Sequence, residues 1–403
     1  MGARATSGAL VLAALAAFPG ASSSGAVPLQ AVPTPTGHIV YELSYTGKRK
    51  GGWLEVSNLD GSDRRALTTP PKAGQRRWDS LPSWSPDGGS IAFVRSVGGT
   101  SQYSGRKQLL VIGGDGGGER RLAVGTDRNA LGTPVWSHDG ARLLFVRQER
   151  DSCSGFDALY TVTADGAHLR RLVRPIVNRT LWALDWSPDS SAALFQTGSW
   201  DVDCRDNDYL GGTFSTLSPG GGAPKVVVQW DTAADYRDAA WSTDGRSIAF
   251  TADCRSVCTI LRVPSIGGRE TPLTAFRSAT DPFFDLSELD ELSFAWSRAG
   301  NQVLYGRQRG LFSVEASTGV TRRLAITPCP AQRNCRRSQT YVEAQSLQGD
   351  HVAFSTTAWT RDLDVESEQL DVTTSDGASR WSVPYPRSAR SGAELSGFSV
   401  FLD

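Results

Sequence analysis

The chain of 403 residues contains one Met, four His and five Lys, and its 42 basic residues balance its 42 acidic ones. A neutral chain lacks the concentrated basic face that duplex nucleic acid requires. Arg supplies nearly all the positive charge. GC-rich coding accounts for that bias as well as any site would, since Arg and Lys differ physically mainly at bidentate or stacked contacts. The Gly-x-Ser-x-Gly elbow, His-Glu-x-x-His, the phosphate loop and the dinucleotide fingerprint are all missing. No local motif therefore announces hydrolase, metalloprotease or nucleotide chemistry. Long apolar runs are missing as well: Ala9 to Phe18 falls well short of the ~20 residues that span a bilayer.

What that run does fit is export. Arg4 precedes it and the small residues from Pro19 to Ala26 follow, the plan of a secretory signal peptide over 1–26 with Ala21 as the other cleavage point. Pro28, Pro33 and Pro35 mark 27–36 as a linker, leaving 37–403 as the folded part. No Cys follows the run to carry a lipid. The expected location is the periplasm, the cell envelope or the medium. Six cysteines agree with an oxidising compartment: Cys153, Cys204, Cys254, Cys258, Cys329 and Cys335. Cys254 and Cys258 have ligand-like spacing, but no second close pair completes a zinc tetrahedron. The expected bridges are Cys153–Cys204 between neighbouring loops, and Cys254–Cys258 and Cys329–Cys335 locally.

The positive signal is a repeat. Trp-Ser recurs at Trp84, Trp136, Trp186, Trp241 and Trp296, at spacings of 52, 50, 55 and 55 residues. A turn follows each pair: Pro86-Asp87-Gly88, His138-Asp139-Gly140, Pro188-Asp189-Ser190, Thr243-Asp244-Gly245 and Arg298-Ala299-Gly300. Pro presets φ, Asp caps nearby amides and Gly supplies positive φ, which together make a tight antiparallel corner. An apolar strand comes next, as in Ile91-Ala92-Phe93-Val94. Two further copies lack the Trp, at His38-Ile39-Val40-Tyr41 and His351-Val352-Ala353-Phe354. Each repeat then has a polar hairpin such as Asp115-Gly116 or Asp165-Gly166. Four short antiparallel strands per ~50 residues, repeated without helical period, predict an all-β seven-bladed β-propeller, with a six-bladed ring as the other count. The first copy starts at its second strand, so Gly397 to Phe401 is expected to return and close blade one.

The Trp-Ser-Pro-Asp-Gly motif with its Ile-Ala-Phe strand resembles the repeats of TolB-type, WD-repeat-like propellers, the periplasmic component of a cell-envelope complex. The resemblance covers 37 to about 386 and is specific for the fold. It says far less about function. TolB-type proteins usually have six blades and a separate N-terminal α/β domain; here the linker runs straight into the propeller, so the envelope-complex role is not carried over.

The repeated Trp residues are expected in the wedges between blades, and Asp87, Asp139, Asp189 and Asp244 in turn chemistry. The paired Arg at 64/65, 120/121, 170/171 and 322/323 should protect exposed outer edges. Asp201, Asp203, Asp206, Asn207 and Asp208 crowd one loop and could hold Ca²⁺, though the loop lacks the Gly and terminal Glu of an EF-hand. Calcium is the one cofactor left open. Segments entering each first strand converge on one mouth of the ring, where Arg77, Asp79, Arg179, Tyr236, Arg237, Asp238 and Glu291 are the ligand-binding candidates. The expectation is a monomeric module for a cell-envelope or extracellular protein or a polar ligand, without catalysis. A propeller lyase or glycosidase with a channel site on a polysaccharide is the alternative, because channel carboxylates leave no local motif.

Overall fold

The computed structural model describes residues 35–45, 50–72, 74–125, 129–150, 155–175, 178–203, 206–232, 236–252, 257–277, 294–307, 310–326, 337–345, 350–359, 365–384 and 393–403. Those residues form strands and turns throughout, and no helix among them is long and apolar enough to cross a membrane. The signal, the linker up to residue 34, Glu291 and all cysteines but Cys258 lie outside them.

Seven four-stranded antiparallel blades follow one another around a ring. Blade one holds β1 (Gly37–Tyr45), β2 (Gly52–Asn58) and β3 (Arg65–Ala66). Blade two is β4 (Arg77–Trp84), β5 (Ser90–Gly98), β6 (Gly105–Gly113) and β7 (Arg120–Val124). In blade three the first strand is broken into β8 (Asn129–Leu131) and β9 (Val135–Trp136), ahead of β10 (Arg142–Arg150), β11 (Gly155–Thr163) and β12 (Arg170–Val173). Blade four is β13 (Arg179–Trp186), β14 (Ala193–Asp203), β15 (Asp206–Leu217) and β16 (Lys225–Trp230). Blade five is β17 (Tyr236–Trp241), β18 (Ser247–Ala252), β19 (Val257–Pro264) and β20 (Thr271–Arg277). Blade six is β21 (Phe294–Trp296), β22 (Gln302–Arg307), β23 (Gly310–Glu315) and β24 (Thr321–Ile326). Blade seven is β25 (Arg337–Gln345), β26 (His351–Trp359), β27 (Val365–Thr374) and β28 (Arg380–Val383). The last strand, β29 (Ala393–Leu402), pairs antiparallel with β1 from Gly37↔Leu402 to Tyr45↔Ala393, so the C-terminus completes blade one.

Each second strand is sandwiched between neighbouring blades, which is why it reads as a continuous apolar run rather than an alternating one. Ile91, Ala92 and Phe93 are fully buried, as are Ile248, Ala249 and Phe250. The core is accordingly divided into seven wedges, one per blade–blade contact. The wedge between blades seven and one, with Ile39, Leu43, Ala353, Val372, Val400 and Leu402, closes the ring.

The motif explains itself atom by atom. Ser85, Ser137, Ser187 and Ser242 donate their hydroxyls to the Asp two residues on, at 2.5, 2.6, 2.6 and 2.6 Å. The same Ser oxygens accept the amide that opens the second strand, as in Ser90 N–H and Arg142 N–H. The corner is thereby locked from both ends. Gly88 takes φ +69°, and a Cβ there would stand 2.4 Å from the Phe401 ring. The indole N–H of four of the five motif Trp residues staples blade to blade: Trp84 to Ser399 O, Trp136 to Ser83 O, Trp186 to Val135 O and Trp296 to Ala240 O. In every case the acceptor stands on the preceding blade's first strand.

The paired Arg at the outer edge do more than carry charge. Arg65 donates to Gly114 O and Asp115 O, and Arg120 to Ala164 O, each tying a fourth strand to the next blade's outer hairpin. Arg64 pairs instead with Glu55 in its own blade, at 2.8 Å.

Candidate functional site

A first strand in a propeller faces the channel along its whole length, so irregularities there decide what the channel contains. Pairing slips by one residue between Ala183 and Asp185, between Arg237 and Ala239, and between Val342 and Ala344. Such bulges re-aim side chains. The residues set free in the last two are Asp238, at φ +44°, and Glu343. Both line a central cavity of about 870 Å³, in the ~300–1,000 Å³ range of small-molecule sites.

The corner motif supplies the rest of the lining. Its third position contributes Pro86, His138, Pro188, Thr243 and Arg298 to the cavity from five successive blades. Where the turn proline is kept the wall is inert; where His138 and Arg298 replace it, the wall becomes polar. Ala183, Ala240 and Ala295 leave room between the aromatic walls of Trp241, Phe294 and Tyr341.

Asp185 is the most constrained polar group in the cavity. Its Oδ1 accepts Trp186 N–H and its Oδ2 accepts Trp241 N–H from the next blade, both at 2.8 Å. His138 Nε2 lies 3.7 Å from Oδ1 and 3.0 Å from Trp186 O, placed to donate to that carbonyl. Burial pushes the Asp185 carboxyl up to about 6, against the two amides and His138, which favour its charged form. Burial also raises the Glu343 carboxyl, against a 2.5 Å hydrogen bond from Ser355 Oγ. Partial desolvation lowers the Arg298 guanidinium, although the residue as a whole is exposed. Its side chain makes no hydrogen bond or ion pair among the described residues, while its backbone N–H is taken by Gln345 Oε1.

A pH test follows from Asp185. Its folded value exceeds the ordinary 3.8, so the native state holds the proton more tightly than the unfolded chain. The resulting stabilisation is complete below about pH 4 and is lost as pH rises through 6. Asp185→Asn keeps an acceptor for Trp241 N–H and carries no charge. Between pH 4.5 and 7.5 the wild type should lose roughly 2 kcal/mol relative to this variant, read from urea midpoints. Parallel pH profiles would show that the carboxyl carries no burial penalty.

Of the candidates read from the sequence, Asp238 lines this cavity. Asp79 is buried and its two oxygens are held by Arg95 at 2.6 and 3.0 Å, with Arg77 Nε at 3.8 Å. Tyr236 packs against Trp230 and Phe250 and donates its hydroxyl to Glu270 at 3.2 Å. Its phenol is pushed up to about 12 by burial and by Glu270. Arg179 is exposed at the start of β13, where it bridges to Phe156 of blade three. The Arg237 side chain and Glu291 lie outside the described residues. Asp185, Glu343, His138, Arg298 and Trp241 were not foreseen. The available signal was the third motif position, where a residue other than Pro marks a polar channel wall.

The acidic loop forms the end of the β14–β15 hairpin, with Asp201 opposite Asp208 and Asp203 opposite Asp206, and its side chains lie outside the described residues. Among the described residues no three His, Cys, Asp or Glu gather closely enough to hold a metal ion. Cys258 is buried on β19 and is disulfide-bonded. Its partner and the expected pairings lie outside the described residues.

No protein-family model matches the chain. Solved structures similar to it include propeller proteins. Oligogalacturonate lyase in complex with manganese is 10% identical, with TM-score 0.53 over 79% of this chain and 87% of that one. The periplasmic gluconolactonase PpgL of Pseudomonas aeruginosa is 17% identical, with TM-score 0.51 over 91% and 99%. TolB from Acinetobacter baumannii is 17% identical, with TM-score 0.46 over 90% of this chain and 66% of that one. The chain thus spans just under two thirds of that TolB's length. At these identities the likeness is one of fold.

Proposed function

We propose that this propeller is an exported binding protein whose central channel takes a small polar ligand. The observation that carries the reading is the convergence of His138, Asp185, Arg298 and Glu343, from four different blades, on one cavity of about 870 Å³. Convergent polar groups in a roomy pocket with aromatic walls are the usual form of a small-molecule site. Export rests on the leader-like N-terminus and the even cysteine count. A second reading, a channel that processes carbohydrate, draws on the neighbouring His138 and Asp185, which are proton-transfer groups in the same cavity.

The test is calorimetric titration with sugars, sugar acids, amino acids and short peptides on the wild type and on Ala295→Trp. Ala295 lines the cavity, and a Trp there fills it. Binding by one class, lost in Ala295→Trp while melting stays within a few degrees, supports the channel. Binding that survives the plug, or no binding by any class, overturns it. Product formation by the bound ligand would move the protein to the second reading.

A further inference from the structure

The cavity leaves several polar groups open to a ligand, donors and acceptors both. Three carboxylates line it: Asp185 is held by two backbone amides, Glu343 accepts one bond from Ser355, and Asp238 stands on the neighbouring bulge. Two groups without a protein partner are donors. The Arg298 guanidinium, on an exposed residue at the cavity wall, has no partner among the described residues. Trp241 breaks the stapling rule of the other motif Trp residues, because its buried Nε1 meets no acceptor. In the repeat register its acceptor would be the Asp185 carbonyl, one residue before Trp186; at this seam Asp185 and Trp241 are joined instead through the carboxylate and the backbone N–H. An unmade bond of a buried donor costs about 1–3 kcal/mol. A partnerless guanidinium at the rim of a concave site matches a carboxylate in fork geometry.

Beside these donors, Glu343 keeps one carboxylate oxygen without a described partner, and Trp241, Phe294 and Tyr341 offer flat apolar faces. Hydroxyl groups on a compact skeleton would use both, donating to Glu343 while their C–H faces lie on the rings. Neutral hydroxyls also tolerate the nearby carboxylates, which a polyanion would not. Resting on the channel reading, we infer that the ligand is a hydroxylated monocarboxylate of sugar size, a hexuronate or aldonate, with its carboxylate on Arg298 and its hydroxyls toward Glu343 and Asp185.

The experiment is titration calorimetry at pH 6 with glucuronate and gluconate, with glucose and sorbitol as their neutral counterparts, and with acetate. The acids should bind at least tenfold more tightly than the neutral counterparts and than acetate. Arg298→Gln should weaken the acids at least tenfold and leave the neutral compounds unchanged. Arg246→Gln, an exposed corner residue outside the cavity lining, should change nothing. Equal binding of glucose and glucuronate, or indifference to Arg298→Gln, overturns the inference while the channel reading stands, provided Ala295→Trp still abolishes binding. Acetate binding as well as glucuronate overturns the hydroxyl half. Acid binding that survives Ala295→Trp overturns both, and no binding of any of these compounds overturns the inference while the channel reading is still decided by the amino acids and peptides.

Discussion

Deleting residues 393–403 will abolish cooperative folding at ordinary temperatures. The segment is the innermost strand of blade one, paired with β1 along its length. It places Val400 and Leu402 in the wedge against blade seven, and Phe401 in the wedge against blade two. Ser399 O accepts the Trp84 indole. Burying side chains of this size contributes about 1.5–3 kcal/mol each. Even after the ordering entropy of the strand, the loss is on the order of 5 kcal/mol, comparable with the whole stability of many domains. The deletion also exposes the full edge of β1, a template for pairing between molecules. A thermal melt followed by circular dichroism should show the transition lost or broadened, with aggregation. Adding the 393–403 peptide in trans should restore it. A melting temperature equal to that of the full chain would overturn the closure.

That closure was legible in the sequence because it follows from counting: a first repeat starting at His38 lacks a strand, and the C-terminal Gly397 to Phe401 is left to supply it. The seven blades were legible for the same reason, since a corner of Trp, Ser, Asp and Gly can be built in few ways and its local hydrogen bonds repeat with the residues. The site was much less so. Candidates were drawn from the loops that enter first strands, whereas the cavity is lined by corner positions and by bulged residues. A bulge is a register slip between two strands and leaves no mark in one strand's own pattern; Glu343 therefore looked like any strand residue. Asp185 sits next to a motif Trp and looked like the tail of a strand, because its role comes from Trp241 N–H, 56 residues on. His138 and Arg298 were visible as departures from Pro, but a departure in a turn says nothing of what the turn faces until the ring is closed.

Asp79, a ligand-binding candidate from the sequence, is held in the structure as a brace. Its side chain has no exposure, and Arg95 holds both of its oxygens. Arg95 also forks onto Glu119 at 2.6 and 3.0 Å and lies 5.3 Å from the Phe93 ring centre. Asp79→Ala leaves a half-buried guanidinium with only its outer partner. Breaking such a pair from one side costs about 3–5 kcal/mol, because the remaining charge is uncompensated, whereas replacing both partners with apolar groups is often nearly neutral. The Asp79→Ala variant should therefore lose that amount in urea unfolding, and Asp79→Ala with Arg95→Met should recover most of it. Ligand affinity, measured well below the melting temperature, should be the same in all three proteins. An Asp79→Ala protein of wild-type stability with weakened binding would return Asp79 to the ligand site. A double variant no more stable than the single would show that the fold needs the pair itself, not merely relief of a stranded charge.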